Sequence, residues 1–173
     1  MLGWFLDRFR QSGVESILDI GCGIGRHTEH FEMFPKYLGV DLVKDYLVRA
    51  INGSNLMYVQ GDATKLDELF LPKSFDAVLW YDSLEHLTKE QGLQSVKYTM
   101  EIARKSVGVY TPEGFFEQTD NVWGGDARDA QVHKSGWSQE DLSSIGFQEI
   151  EIEKANRRGH GLVSLILALR RTE

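Results

Sequence analysis

The stretch "LDIGCGIGRHT", residues 18–28, decides the fold, because it joins an apolar strand pattern to a closely spaced run of glycines. Gly21, Gly23 and Gly25 occupy alternate positions directly after that pattern. Glycine loses more conformational freedom on folding than any other residue, so three of them together indicate a backbone with unusual angles or a close approach to a ligand. The spacing predicts a strand, a loop whose amides can face a ligand, and a helix over about residues 25–33.

Strand and helix patterns alternate on both sides of this stretch. Near-continuous apolar runs predict buried parallel strands at residues 15–20, 37–41, 56–60, 75–81 and 106–111. Helical patterns follow at residues 41–53, 64–70 and 88–106. Gly53 is predicted to cap the first of these helices, and Thr88 with Gln91 has the form of a capping box. The alternation predicts an α/β fold with a doubly wound parallel sheet and helices on both faces.

The last third of the chain has a different order of elements. A short helix capped by Ser138 is predicted to end near Gly146. Two strand patterns follow at residues 147–156 and 161–171, and the residues between them are too few for a crossover helix. They therefore predict an antiparallel hairpin at the end of a mostly parallel sheet.

Length and composition limit the classes of protein. The 173 residues fit a single domain, 1–173, and the opening residues have the pattern of an amphipathic helix and not of a signal peptide. The net charge of −7 argues against a nucleic-acid partner, and no apolar run is long enough to span a membrane. Cys22, the single cysteine, excludes an internal disulfide. We expect a cytoplasmic protein.

The glycine spacing distinguishes two kinds of ligand. A dinucleotide fingerprint, G-x-G-x-x-G, would require glycine where Arg26 stands. Asp19 lies at the predicted strand end, where its carboxylate would repel a diphosphate and attract a cation. The loop is therefore expected to hold a positively charged or zwitterionic ligand.

At this point the chain resembles the class I S-adenosylmethionine-dependent methyltransferases, whose first motif is acidic-x-G-x-G-x-G. "YLGVDLVKDYLVRA", "VQGDATKL" and "FDAVLWYDSLEHL" are similar to the three motifs that follow it in the family. The resemblance implies a seven-stranded Rossmann-like sheet of order 3-2-1-4-5-7-6 with strand 7 antiparallel. It implies S-adenosylmethionine as cofactor and S-adenosylhomocysteine (SAH) as product.

The family's motifs assign roles to particular positions. The glycines would make room for the methionine half of the cofactor, and Asp19 would face its charged end. Asp41 would bind the ribose hydroxyls, while Asp62 and the amide of Ala63 would bind the adenine. The full set of cofactor contacts implied by the resemblance is Asp19, Gly21, Gly23, Gly25, Asp41, Leu42, Asp62, Ala63, Trp80 and Tyr81.

The methyl acceptor is expected beyond the carboxyl ends of strands 4 and 5. The first segment there offers Tyr81, Asp82, Glu85 and His86, and the second is the long loop 111–136, which we interpret as a lid over the acceptor site. His133, His86 and Tyr81 are the candidate catalytic residues. Two alternatives remain open: one is a local hydrogen bond by which His133 pins the loop, and the other is a bond from His86 to backbone at a helix start. Trp123 and Trp137 are interpreted as packing residues.

The sequence favours methyl transfer to an oxygen or nitrogen of a small molecule, with a protein acceptor or partner as an alternative. "WYDS" after strand 4 is not the [DNS]-P-P-[YFW] signature of enzymes that methylate exocyclic amino groups of nucleic acids or glutamine. Cys22 lies inside the cofactor loop, so we do not expect it to act as the nucleophile for methylation at C5 of a pyrimidine. A non-catalytic cofactor-binding subunit and an NAD(P)-binding oxidoreductase are the competing hypotheses. No metal site is predicted, because the histidines are scattered along the sequence.

Overall fold

The computed structural model describes residues 1–119, 123–124, 128–157 and 161–172. They contain a seven-stranded sheet of order β3-β2-β1-β4-β5-β7-β6, as predicted. The strands are β1 (Ser16–Ile20), β2 (Lys36–Asp41), β3 (Leu56–Gln60), β4 (Phe75–Tyr81), β5 (Ala103–Pro112), β6 (Glu149–Arg157) and β7 (Gly161–Arg171). Strands β1 to β5 are parallel to one another, and β7 is antiparallel to both β5 and β6. The predicted turn of the closing hairpin, residues 158–160, lies outside the described residues.

Helices and short 3₁₀ turns connect the strands. The helices are α1 (Leu2–Gln11), α2 (Lys44–Val48), α3 (Leu66–Leu69), α4 (Lys89–Ile102), α5 (Arg128–Gln131) and α6 (Gln139–Ser144), with 3₁₀ turns at Thr28–Phe31, Ala63–Lys65 and Leu84–His86. The capping box at Thr88 is present, and Ser138 forms a second one with Asp141. Within the described residues, no helix is long and apolar enough to cross a membrane.

The sheet separates two apolar layers, because successive strand residues point to opposite faces. In β1, Ile17 packs with Phe5 and Phe9 of α1 on one face. Leu18 packs on the other face in the cluster that contains Val96 of α4. Both faces are therefore covered, which explains why the parallel strands are apolar along almost their whole length.

Three predicted helix boundaries are wrong. The helix over residues 25–33 is only the 3₁₀ turn Thr28–Phe31, because Gly25 has φ +67° and Thr28 satisfies the Gly25 carbonyl through both its amide and its hydroxyl. The helix over residues 41–53 is only α2, which ends at Val48 with Arg49 as its C-cap, so Gly53 is not its cap. The helix over residues 88–106 ends at Ile102, because β5 already pairs with β4 at Ala103.

Candidate functional site

A pocket of about 120 Å³ opens at the carboxyl ends of β1, β2 and β4. Parallel sheets bind ligands at this edge, where the loops after the strands meet. The predicted site residues in its wall are Gly21, Asp41, Leu42, Asp62, Ala63, Trp80 and His86. The sequence motifs therefore converge on one cavity.

The glycine loop needs its glycines for both backbone angle and space. Gly21, Gly23 and Gly25 have φ of +76°, +58° and +67°, a region that side chains other than glycine rarely adopt. A Cβ on Gly21 would lie 2.5 Å from the Cβ of Ser83, and one on Gly23 would lie 2.2 Å from the indole of Trp123. Gly21 lies in the pocket wall, while Gly23 and Gly25 lie behind it.

Asp41 at the end of β2 ties the glycine loop to the next loop. Its Oδ2 accepts a hydrogen bond from the Gly23 amide at 2.8 Å, and its Oδ1 accepts one from the Val43 amide at 2.8 Å. Burial raises the pKa of the Asp41 carboxyl, and these two amides act in the opposite direction. A carboxylate has about four acceptor positions, so Asp41 can hold both amides and still accept from a ligand hydroxyl.

Asp19 is buried directly beneath the glycine loop and does not reach the pocket wall. Its Oδ2 accepts a hydrogen bond from the Tyr37 hydroxyl at 2.6 Å, and its Oδ1 has no partner within the described ranges. Burial, with a smaller contribution from the charge of Asp41, raises the pKa of Asp19 to about 7. The hydrogen bond from Tyr37 acts in the opposite direction. This buried carboxyl is one that a nearby cation would ionise.

Asp62 and Ala63 follow β3 on the far side of the pocket. Asp62 starts the 3₁₀ turn by accepting from the Thr64 amide at 2.8 Å and from the Thr64 hydroxyl at 2.7 Å. These bonds fix the direction of the carboxylate and of the Ala63 amide that follows it. Both residues line the cavity.

Wall residues that the sequence did not predict come from α2, which carries Tyr46, and from the loop after β5. Tyr46 and Gln131 line the pocket and are hydrogen-bonded to each other, and Trp123 packs edge-on against Tyr46 with ring centroids 5.2 Å apart. Small-molecule sites have volumes of roughly 300–1,000 Å³, so this cavity is small. The indole of Trp123 lies against Gly23 and forms part of the cavity wall. Trp123 was interpreted as a packing residue and lies in the pocket wall, whereas Trp137 is fully buried in the core.

Two predicted residues lie behind the wall. Tyr81 stacks on Tyr110 with ring centroids 4.5 Å apart. His133 is 5% exposed, and its Nδ1 lies 2.6 Å from the Phe116 carbonyl, a contact that pins the loop. His86 reaches the wall and also bonds backbone, with Nδ1 3.3 Å from the Val132 carbonyl.

The structure brings together histidines that the sequence separates. The rings of His86 and His133 have centroids 4.9 Å apart, and Glu85 lies beside both. The prediction of no metal site depended on scattered histidines, and the fold removes that argument. Glu85 was named only for its place after β4, and its proximity to His133 has no local signal in the sequence.

The chain is similar to a known protein family. A family model described as "Methyltransferase domain" matches residues 17–105, just over half of the chain. No curated protein matches the sequence.

Solved structures similar to the chain cover nearly all of it. An S-adenosylmethionine-dependent methyltransferase from Methanosarcina mazei has 14% identity and a TM-score of 0.74, with 97% of this chain and 96% of that chain covered. Magnesium protoporphyrin IX methyltransferase from Synechocystis PCC 6803, solved with SAH bound, has 16% identity and a TM-score of 0.68, covering 98% and 80%. The N-terminal domain of EvdMO1, also with SAH bound, has 20% identity and a TM-score of 0.70, covering 99% and 79%. At these identities the likeness concerns the fold.

Proposed function

Because this chain belongs to the methyltransferase-domain family, whose model it matches over residues 17–105, we propose that it transfers a methyl group to an oxygen or nitrogen of a small molecule. S-adenosylmethionine is the methyl donor. The observation that carries the proposal is the cavity at the carboxyl ends of β1, β2 and β4, with Asp41 and Asp62 in its wall. Both acidic residues follow strands at which the family's motifs place the nucleoside half of the cofactor.

The proposed roles of the cofactor residues follow from position. Asp41 accepts hydrogen bonds from the ribose hydroxyls, and Asp62 accepts one from the adenine amino group. Leu42, Ala63 and Trp80 enclose the nucleoside. The methionine half extends along the glycine loop, where Asp19 balances its ammonium charge from beneath.

Methyl transfer requires the protein mainly to hold the acceptor atom in line with the methyl group of the cofactor. A lone pair of the acceptor attacks the methyl carbon while the carbon–sulfur bond breaks and its electron pair remains on sulfur, giving SAH. The acceptor then loses one proton. Holding the two reactants in line is worth roughly 7–11 kcal/mol, and a general base adds a factor of about 10² to 10⁴ where the acceptor must lose that proton.

The loop 111–136 is proposed as the lid of the acceptor site in a domain that spans residues 1–173. Its support is that Trp123, Ala130, Gln131 and Lys134 all line the cavity. A small-molecule acceptor fits a cavity enclosed in this way better than a macromolecule does.

Ligand-induced thermal stabilisation tests the proposal. S-adenosylmethionine and SAH at about 100 times their dissociation constants are expected to stabilise the fold by roughly 2.7 kcal/mol, while NAD(H) and NADP(H) leave it unchanged. Asp41→Ala should lose the stabilisation, because the ribose contact and the tie to Gly23 both disappear. The matched control is Asp45→Ala, which removes a nearby exposed carboxylate outside the pocket wall.

The outcomes separate the competing hypotheses. Stabilisation by nicotinamide cofactors would indicate an oxidoreductase and overturn the proposal. Stabilisation by the adenosyl compounds without methyl transfer to any of a broad acceptor panel would favour a non-catalytic subunit. If S-adenosylmethionine and SAH stabilise Asp41→Ala as much as the wild type, the cavity geometry no longer supports the proposal.

A further inference from the structure

A cluster of three side chains lies next to the expected acceptor position, and one of the three, His86, lines the pocket. Glu85 and His86 belong to the 3₁₀ turn Leu84–His86 after β4, and His133 comes from the loop before α6. One potential ligand atom from each of these residues lies within 4.8 Å of the other two. We call these three residues the Glu–His cluster.

The backbone orients both imidazoles of the cluster in the same manner. Nδ1 of His133 lies 2.6 Å from the Phe116 carbonyl, and Nδ1 of His86 lies 3.3 Å from the Val132 carbonyl. A carbonyl only accepts hydrogen bonds, so Nδ1 of each ring carries a proton, and in the neutral ring Nε2 then carries the lone pair. Histidines that bind metals are fixed in this way by an outer partner on the second nitrogen.

Glu85 is a buried carboxylate without a full set of partners. Its side chain is 2% exposed, and its Oε2 accepts a hydrogen bond from the Thr111 hydroxyl at 3.0 Å. Its Oε1 is buried and accepts no hydrogen bond within the described residues. Burial, the charge of Asp82 and a hydrogen bond with Asp82 raise the pKa of the Glu85 carboxyl. Oε1 lies 3.9 Å from Nε2 of His133, which is too far for a hydrogen bond. In its ionised form, a carboxyl buried in this position needs a positive charge close by.

The backbone holds the cluster together across the two segments. The Glu85 carbonyl accepts hydrogen bonds from the amides of Lys134 at 2.8 Å and Ser135 at 3.2 Å. Asp82, three residues before Glu85, has φ +59°, a left-handed conformation that costs energy for a residue other than glycine. Asp82 and His86 both line the pocket, so the cluster opens towards the ligand.

We propose that the Glu–His cluster binds a divalent transition-metal ion, such as Mn²⁺, Co²⁺ or Zn²⁺, and that this ion holds the acceptor through a hydroxyl oxygen. Two imidazoles with one carboxylate are a donor set for such ions, whereas Mg²⁺ and Ca²⁺ prefer oxygen alone. Metal–ligand bonds of about 2.0–2.2 Å set ligand atoms about 3.0–3.5 Å apart, so closing the cluster on an ion requires side-chain shifts of about 1 Å. This proposal rests on the proposed function, because it takes the adjacent pocket as the site of methyl transfer.

The ion would narrow the acceptor class to compounds with an alcohol or phenol group. A divalent ion lowers the pKa of a bound hydroxyl, so the hydroxyl proton can pass to water near neutral pH without a dedicated base. The oxygen lone pair then forms the bond to the methyl carbon, the carbon–sulfur pair stays on sulfur, and the products are a methyl ether and SAH. His86 and His133 would act as ligands and not as proton acceptors.

Cobalt binding to chelator-treated protein tests the proposal without an acceptor. We expect one Co²⁺ per chain with visible d–d bands, and displacement of Co²⁺ by Zn²⁺. His86→Gln and Glu85→Gln should each weaken binding by about tenfold or more. His30→Gln, at an exposed histidine beside Glu29, is the matched control and should bind as the wild type does.

Several results would overturn the proposal. One is the absence of Co²⁺ d–d bands in the wild type. Another is an affinity of His86→Gln for Co²⁺ equal to that of the wild type. His86 is only half-buried, so its variant decides the matter if Glu85→Gln does not fold. SAH binding is measured on the same samples: retained SAH binding without metal binding would refute the metal site alone, and metal binding without SAH binding would refute the proposed function.

Discussion

The buried carboxyl of Asp19 makes cofactor affinity depend on pH in a calculable way. Its pKa is raised to about 7 by burial, and the ammonium of bound SAH would require it ionised. The apparent dissociation constant then scales as one plus the ratio of protonated to ionised Asp19. It should therefore be about eightfold larger at pH 6 than at pH 7.5.

Calorimetry measures this linkage directly. At pH 6, titrations of SAH in buffers of different ionisation enthalpy should report release of about 0.9 proton per ligand bound. Asp19→Asn keeps the shape and an acceptor oxygen for Tyr37 but cannot ionise, so its affinity should vary little over the same range. Methylthioadenosine, which lacks the ammonium, is the matched ligand and should bind without the pH dependence.

The same shift fixes the sign of an effect on stability. A carboxyl whose folded pKa is raised from 3.8 to about 7 binds its proton more tightly in the folded state. Its contribution to the free energy of unfolding is complete below the ordinary pKa and declines by about 1.4 kcal/mol per pH unit until pH 7. The ligand-free wild type should show this decline relative to Asp19→Asn. Equal pH slopes for the two proteins, in binding or in stability, would refute the reasoning.

Three further substitutions test the packing around the site. Trp123→Ala removes the indole that lies on Gly23 and should tighten SAH binding by about two- to tenfold in calorimetry; weaker binding would show that the indole supports the ligand instead. Gly92→Ala places a Cβ 2.6 Å from the buried ring of Trp137 and should cost about 1–3 kcal/mol in urea unfolding, although alanine favours a helix. A gain in stability would contradict that packing. Thr88→Ala removes the capping box and should cost about 1 kcal/mol in the same assay, with no change in SAH affinity.

Features set by local sequence were predictable. The apolar runs and the glycine loop gave the strand positions, and the short link between the last two strands required an antiparallel pair. Asp41 ends β2 and Asp62 lies two residues beyond β3, and strand ends determine which edge of the sheet these residues reach. The family resemblance supplied the order of the strands, which local patterns do not contain.

Features set by competing local hydrogen bonds or by long-range packing were not predictable. The helix expected after the glycine loop fails because Gly25 and Thr28 replace its first turn with 3₁₀ bonds, a competition that hydrophobic spacing does not reveal. Trp123 lies on Gly23 only because of the path of a long loop, which has no periodicity to interpret. Glu85 and His133 meet across almost fifty residues for the same reason.

A crystal structure of the SAH complex tests the central claim most directly. The account predicts that both ribose hydroxyls lie within hydrogen-bonding distance of the Asp41 carboxylate, that the adenine amino group faces Asp62, and that the sulfur points towards His86. An adenosyl group bound elsewhere, or bound here with its sulfur directed away from His86, would contradict the account.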